Sequence, residues 1–181
     1  MNANADAVQN LPAAVREKIG VACYQRGADC EVNTVNVHGM LAAVENASSL
    51  FWQREEALAL VGKEIAPCSM LSTWGRPERW SPAAGSEIKP LQLHYDLKTL
   101  FGFPTAIVSS FESVFHTPAV IGDSVSTQQV LKSVSEPKTT KLGTGRFWLI
   151  EMQYRNQHGD LLGIDSFNCF GYERIDNHDS D

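Results

Sequence analysis

Midway along the chain the spacing of apolar residues changes from helical to alternating, and that change decides the class of fold. Ile107, Ser109, Phe111, Ser113 and Phe115 alternate with Val108, Ser110, Glu112, Val114 and His116. Successive side chains of a strand point to opposite faces, so this two-residue rhythm predicts an extended strand. A turn at Val120–Asp123 leads to a second strand over about Ser124–Ser135. A Lys/Thr/Gly-rich loop then leads to a third over Arg146–Asn156, where Trp148, Ile150, Met152 and Tyr154 share one face. His158-Gly159-Asp160 turns the chain into a last strand, Leu161–Glu173. Long strands with short connections predict an antiparallel meander.

The amino-terminal half reads as helical. Val37, Met40, Leu41, Val44, Ala47 and Phe51 recur at three- and four-residue spacing, which predicts one helix from Val35 onward with Asn33 or Thr34 as its cap. A second helical piece covers about Arg54–Val61 and stops at Gly62, and Pro67 opens a third over Cys68–Trp74. Gly75–Pro90, rich in proline and glycine, reads as a loop. Helices followed by a meander give an α+β domain. With 181 residues the chain suits a single core, expected over 11–175, with polar tails at 1–10 and 176–181 that fray.

Fifteen basic and twenty-one acidic side chains give a net charge of −6, the wrong sign for gripping a phosphate polymer or an anionic membrane. Nucleic-acid and membrane partners are therefore not expected. No run approaches the roughly 18 apolar residues of a membrane span, and the first residues lack a secretory layout, so a cytoplasmic location is expected. The four cysteines, Cys23, Cys30, Cys68 and Cys169, form no Cys-x-x-Cys pair and have no histidine at zinc-ligand spacing, so neither a disulfide framework nor a metal site is expected.

Several strings carry a resemblance. They are Ile65-Ala66-Pro67-Cys68-Ser69-Met70-Leu71 with Trp74, Phe115-His116 ahead of Ile121-Gly122-Asp123, Lys141-Leu142-Gly143-Thr144-Gly145-Arg146-Phe147, and Tyr154-Arg155-Asn156-Gln157-His158-Gly159-Asp160. With the element order, they make residues 32–172 resemble the MaoC-like hot-dog dehydratases, which include R-specific enoyl-CoA hydratases. Closest is the branch acting on acyl-CoA intermediates of steroid side-chain breakdown, often as an unequal pair of subunits. The resemblance implies a single hot-dog fold, a long helix wrapped by a curved antiparallel sheet.

Adding water to a 2-enoyl thioester needs a base, an acid and donors for the developing enolate oxygen. The family supplies the first two from the string Asp-x-Asn-Pro-Leu-His. The aligned segment here is Asn46-Ala47-Ser48-Ser49-Leu50-Phe51, so Asn46 stands for the Asp and Phe51 for the His. An amide does not accept a proton near neutral pH, and a phenyl ring carries none. What the resemblance then implies is a non-catalytic subunit of a heteromeric enoyl-CoA hydratase, for steroid or bile-acid side chains. Its partner would be a hot-dog chain with the intact pair, in a heterodimer or heterotetramer. No cofactor is implied, coenzyme A arriving as the substrate thioester.

For that role the candidate substrate-binding residues are Trp52, Cys68, Ser69, Trp74 and His116, with the amides of Cys68 and Ser69 facing a thioester oxygen. Lys138, Lys141 and Arg146 bracket Gly143 and Gly145 and are the candidates for coenzyme A phosphates. Each has a plainer reading: Asn46 as a local backbone partner, Phe51, Trp52 and Trp74 as core, His116 as a turn residue, and the basic trio as a solvated hairpin. His38, early in the first helix, and His94, read as lying in a loop, have no carboxylate neighbour in sequence to suggest a dyad. A nucleophile role for Cys68 lacks the accompanying histidine arrangement. Two other functions stay open: an acyl-CoA docking module for a thiolase-like or aldolase partner, and a self-sufficient hot-dog thioesterase or hydratase using different residues.

Overall fold

In a computed structural model, which describes residues 10–27, 31–76, 82 and 89–174, the sheet has the expected antiparallel character. The expected tails, apart from Asn10 in the first, together with Cys30 and most of the 75–90 loop, lie outside the described residues. In chain order the elements are α1 Ala13–Arg16, β1 Ala22–Arg26, α2 Thr34–Ala43, α3 Ser49–Trp52, α4 Arg54–Val61, a 3-10 turn Cys68–Met70, α5 Leu71–Trp74 and α6 Gln92–Leu100. Then follow β2 Thr105–Phe115, β3 Ser126–Val134, β4 Lys138–Thr140, β5 Gly143–Arg155 and β6 Leu161–Glu173. The six strands form one sheet in the order β1-β3-β5-β6-β2, with β4 also pairing β5, so the expected meander is not what forms: β2 pairs with β6 at the far edge and not with β3, the next long strand. Helices cover one face of this curved sheet, the arrangement of a hot-dog fold.

Burial explains the strand register. On β5, Trp148, Ile150, Met152 and Tyr154 all point into the core, as their alternation predicts. They divide it between two clusters. One gathers Val37, Leu41, Met70, Leu71 and Trp74 over Met152 and Tyr154; the other gathers Val15, Leu93 and Leu97 over Leu131, Trp148 and Ile150.

The helical half departs from expectation in three places. The helix begun at Asn33, whose side chain accepts the Asn36 N–H at 2.9 Å, ends at Ala43 and does not reach Phe51. Glu45 takes a left-handed conformation (φ 53°), and the Asn46 and Glu45 amides reach back to the carbonyls of Leu41 and Ala42. This is a Schellman closure, normally signalled by glycine, and a glutamate in that place gives no warning. Val44, expected on the buried face, is 57% exposed as a result. Second, Ala22–Arg26 is a strand pairing β3, so the amino-terminal half is not wholly helical. Third, His94 belongs to α6, not to a loop, and is buried among Leu93, Leu97 and Trp148. A smaller correction concerns the Lys/Thr/Gly-rich connection, where Lys138–Thr140 pairs with Gly143–Gly145 as a hairpin.

Helix α6 is anchored by Gln129 of β3, which is 3% exposed. Its Oε1 accepts the Leu93 N–H at 3.0 Å, and its amide donates to the Pro90 carbonyl at 3.3 Å. Replacing Gln129 with Leu orphans a buried helix-terminal N–H, so a loss of about 1–3 kcal/mol is expected in urea unfolding. An unchanged midpoint would show that Gln129 does not anchor the helix.

Burial pushes the Cys169 thiol up to about 12, and raises the Tyr154 hydroxyl as well, with Asp165 nearby adding to the effect. Both groups keep their protons in the folded state longer than in the unfolded chain. Their stabilising contribution is complete below about pH 9 and declines as pH climbs toward 12 and beyond. Denaturant midpoints measured from pH 8 to 11 should therefore fall. A flat profile would contradict the burial of both groups.

Candidate functional site

The segment expected to hold the acid and base is built by the Schellman closure and the short helix after it. Asn46 Oδ1 accepts the Ser48 N–H at 2.9 Å, and the Asn46 carbonyl accepts the Trp52 indole N–H at 2.7 Å. Phe51 packs against the cluster of Val37 and Leu41. His38 reaches across to this segment from α2, its Nε2 3.1 Å from the Phe51 carbonyl and its ring stacked on Trp52 at 4.4 Å. A carbonyl only accepts, so His38 Nε2 is the donor in this bond.

A cavity of about 180 Å³ opens beside Phe51, walled by His38, Trp52, Ile65 and Ile121, with Glu64 at its edge. Glu64 pairs with Arg54 at 3.6 Å. Two of the sequence-derived candidates, Phe51 and Trp52, therefore share a pocket. The others do not line it. Cys68 is half-buried and Ser69 exposed, in a 3-10 turn whose first backbone bond runs from the Met70 N–H to the Pro67 carbonyl (2.9 Å). Trp74 is 2% exposed and belongs to the core. His116 follows β2 with its side chain exposed, and its backbone N–H donates to the Leu162 carbonyl at 2.9 Å.

The basic trio sits at the opposite end of β5 from Tyr154, a run of eight residues and roughly 25 Å of strand. Arg146 donates to the Ser135 carbonyl at 2.8 Å and lies 5.9 Å from the Phe101 ring. Lys138 stands 5.9 Å from the Phe147 ring, and Lys141 is exposed in the hairpin turn. The three share one hairpin but not the cavity at Phe51. No cluster of residues suited to a metal ion occurs among the described residues.

A second cleft, of about 300 Å³, has no counterpart among the sequence-derived candidates. It lies between the end of α5 and the concave face of β2, β5 and β6, with Leu91, Phe111, Met152 and Phe167 as apolar walls. At its polar side Asp165, 5% exposed, accepts the Tyr154 hydroxyl at 2.7 Å and the Ser113 hydroxyl at 2.5 Å. The alternation that puts Tyr154 on the core face was legible, but the pairing of Asp165 with Ser113 and Tyr154 across three strands was not. The one sequence signal is an Asp on the inward face of the last strand.

Residues 17–163 match the family model described as FAS1-like, dehydratase domain region. The chain belongs to that family. Among curated proteins, a probable enoyl-CoA hydratase alpha subunit from Thermomonospora curvata is 30% identical over 149 residues, covering 76% of this chain. The chain spans only 44% of that relative's length. Among solved structures, the ChsH1-ChsH2 complex from Mycobacterium tuberculosis contains a chain matched with a TM-score of 0.72 and 20% identity, over 96% of this chain and 95% of that one. An (R)-hydratase from A. caviae involved in PHA biosynthesis matches with a TM-score of 0.52 and 13% identity, covering 86% and 96%. A truncated HadBC complex, a 3R-hydroxyacyl-ACP dehydratase from Mycobacterium tuberculosis, matches at 0.51 and 15%, covering 85% and 99%. At these identities the structural matches establish the hot-dog fold. The family match places the chain among FAS1-like dehydratase-region domains.

Proposed function

We propose that this chain is the non-catalytic, pocket-forming subunit of a heteromeric enoyl-CoA hydratase acting on a bulky, steroid-like acyl-CoA. The observation that carries this reading is the state of the two proton-carrying positions. Asn46 is engaged by the backbone of Ser48, and Phe51 is packed on the core, so neither offers a group that moves a proton. In this reading the amides of Cys68 and Ser69 hold the thioester oxygen and Trp52 borders the reacting end. Lys138, Lys141 and Arg146 meet coenzyme A phosphates at the subunit boundary. The acid and base come from a second hot-dog chain.

A place for that chain is available on β2, the sheet edge opposite β1. Ile107, Val108, Val114 and Phe115 are each 36% or more exposed, on both faces of the strand. An unpaired apolar edge of this length is a template for another strand and is rarely left open. Heteromeric assembly also agrees with the relative named as an alpha subunit and with the structural neighbours that come from complexes.

The test is to mix the purified chain with a hot-dog chain carrying the intact Asp-x-Asn-Pro-Leu-His string. Co-elution as one species, with hydration of trans-2-enoyl-CoA appearing on mixing, is expected. Ile107→Lys with Val114→Lys should abolish co-elution and leave the unfolding free energy of the chain within about 0.5 kcal/mol of the original, as for exposed positions generally. Hydration by the unmixed chain at a normal pace would overturn the proposal.

A further inference from the structure

On the Asp165 side of the second cleft the polar side chains have a single hydrogen-bonding sense, while Ser72 and Arg76, which also line it, bring donors. Asp165 is flanked by two hydroxyls, and each has spent its proton on the carboxylate, Tyr154 on one oxygen and Ser113 on the other. What these three side chains leave for a further partner is lone pairs only. An ionised carboxylate has about four acceptor positions, and these two bonds use two of them. Among the described residues no ion pair joins Asp165. The apolar walls of the cleft are Leu91, Phe111, Met152 and Phe167, whose side chains neither donate nor accept. Arg76 stands at the same cleft and lowers the affinity of its interior for a cation.

The complement of such a surface is defined chemically. A ketone, ester or carboxylate brings further lone pairs against Asp165 and is repelled. A bare hydrocarbon fits the walls but leaves the carboxylate short of donors. An ammonium group is opposed by Arg76. A neutral hydroxyl on an otherwise apolar group satisfies both the walls and the floor.

From this geometry we propose that the cleft bounded by α5, β2, β5 and β6 is a specificity subsite for a hydroxylated apolar acyl group, with Asp165 accepting the ligand hydroxyl. Tyr154 and Ser113 are positioning residues, holding the carboxylate by their hydroxyls. Phe111, 56% exposed and 5.1 Å from the Phe167 ring, is the most exposed of the four apolar walls. The assignment rests on the acyl-CoA reading above only for the identity of the carrier; the preference for a hydroxyl follows from the cleft itself.

The experiment is calorimetric titration of the full chain with acyl-CoA thioesters from hexanoyl to dodecanoyl. Each length is offered in three forms: the parent, one with a hydroxyl on the penultimate carbon, and one with a ketone there. At the length that reaches Asp165, the hydroxylated thioester should bind about tenfold more tightly than parent or ketone, the gain of one hydrogen bond to a charged acceptor. Asp165→Asn, which presents N–H donors in the same shape, should erase that preference and favour the ketone. Phe111→Ala should weaken all three forms alike without altering their ranking, and its exposed position keeps the fold intact. Equal binding of the three forms at every length overturns the subsite while leaving the acyl-CoA reading in place. If no thioester binds but free hydroxy acids still outcompete the parent and keto acids, the acyl-CoA reading fails and the subsite stands. Failure of both thioesters and free acids to bind overturns the subsite.

Discussion

Alone, the chain is expected to hydrate trans-2-enoyl-CoA about 10²–10⁴-fold more slowly than the assembly with an acid- and base-bearing hot-dog partner, the range that positioned proton-transfer groups contribute. The difference arises at Asn46 and Phe51, where the family string has Asp and His. Restoring the letters should not restore the rate. Asn46→Asp with Phe51→His puts a carboxylate where the side-chain oxygen already serves the Ser48 N–H, and an imidazole where a phenyl ring is packed against Val37 and Leu41. The groups would be present without a shell that aims them, and placement errors of about 1 Å cost large factors in rate. Stopped-flow loss of enoyl absorbance is the measurement. The double variant should stay near the background of the lone chain. Turnover approaching that of the assembly would show that the scaffold still aims both groups and that only their identity had changed.

Trp148→Ala should lower stability by about 3–5 kcal/mol, the loss typical of removing a buried aromatic ring, and depress the melting temperature by roughly 6–20 °C in a domain of this size. Trp148 is 1% exposed and is enclosed by the rings of His94, Phe101 and Phe103 at 5.5–6.5 Å between centroids. Gly171 on the neighbouring strand makes room for it: a Cβ there would come within 2.6 Å of the indole. The space left by alanine has rigid sheet on one side and α6 on the other, so little collapse is available to recover it. Trp148→Phe should recover about half of the loss, because ring burial and not the indole N–H carries the effect. A shift of only a few degrees for the alanine variant, measured by calorimetry, would mean that α6 closes onto the sheet and that the second core cluster is softer than its packing suggests.

Which features were legible from the residues alone follows from the range of the forces involved. The strands over Ser126–Val134, Gly143–Arg155 and Leu161–Glu173 announced themselves because one face of each is buried, and burial writes a two-residue period into the sequence. The Asn33 cap and the Gly62 stop were legible because each acts within a few residues. The end of α2 was not. Its closing residue is Glu45, whose left-handed backbone is imposed by surrounding bonds and not by its own preference. Helix α6 was hidden for a related reason: its anchor, Gln129, lies 36 residues away on β3. Strand β1 is short and only half-buried, so it carries too weak a period to read, and its partner strand decides it.

The candidate site divides along the same line. The sequence by itself determined the class of fold, the resemblance to hot-dog dehydratases, and the replacement of an acid and a base by an amide and a phenyl ring, because residue identity and local spacing are sufficient for each. Only the tertiary structure decided that Phe51 and Trp52 border a cavity with His38, that the basic trio lies at the far end of β5, and that Asp165, Tyr154 and Ser113 meet in an apolar cleft. Those three residues come from separate strands, and their meeting depends on strand order and register. Register is fixed by the summed burial of the whole sheet, a quantity that no single stretch of the chain contains.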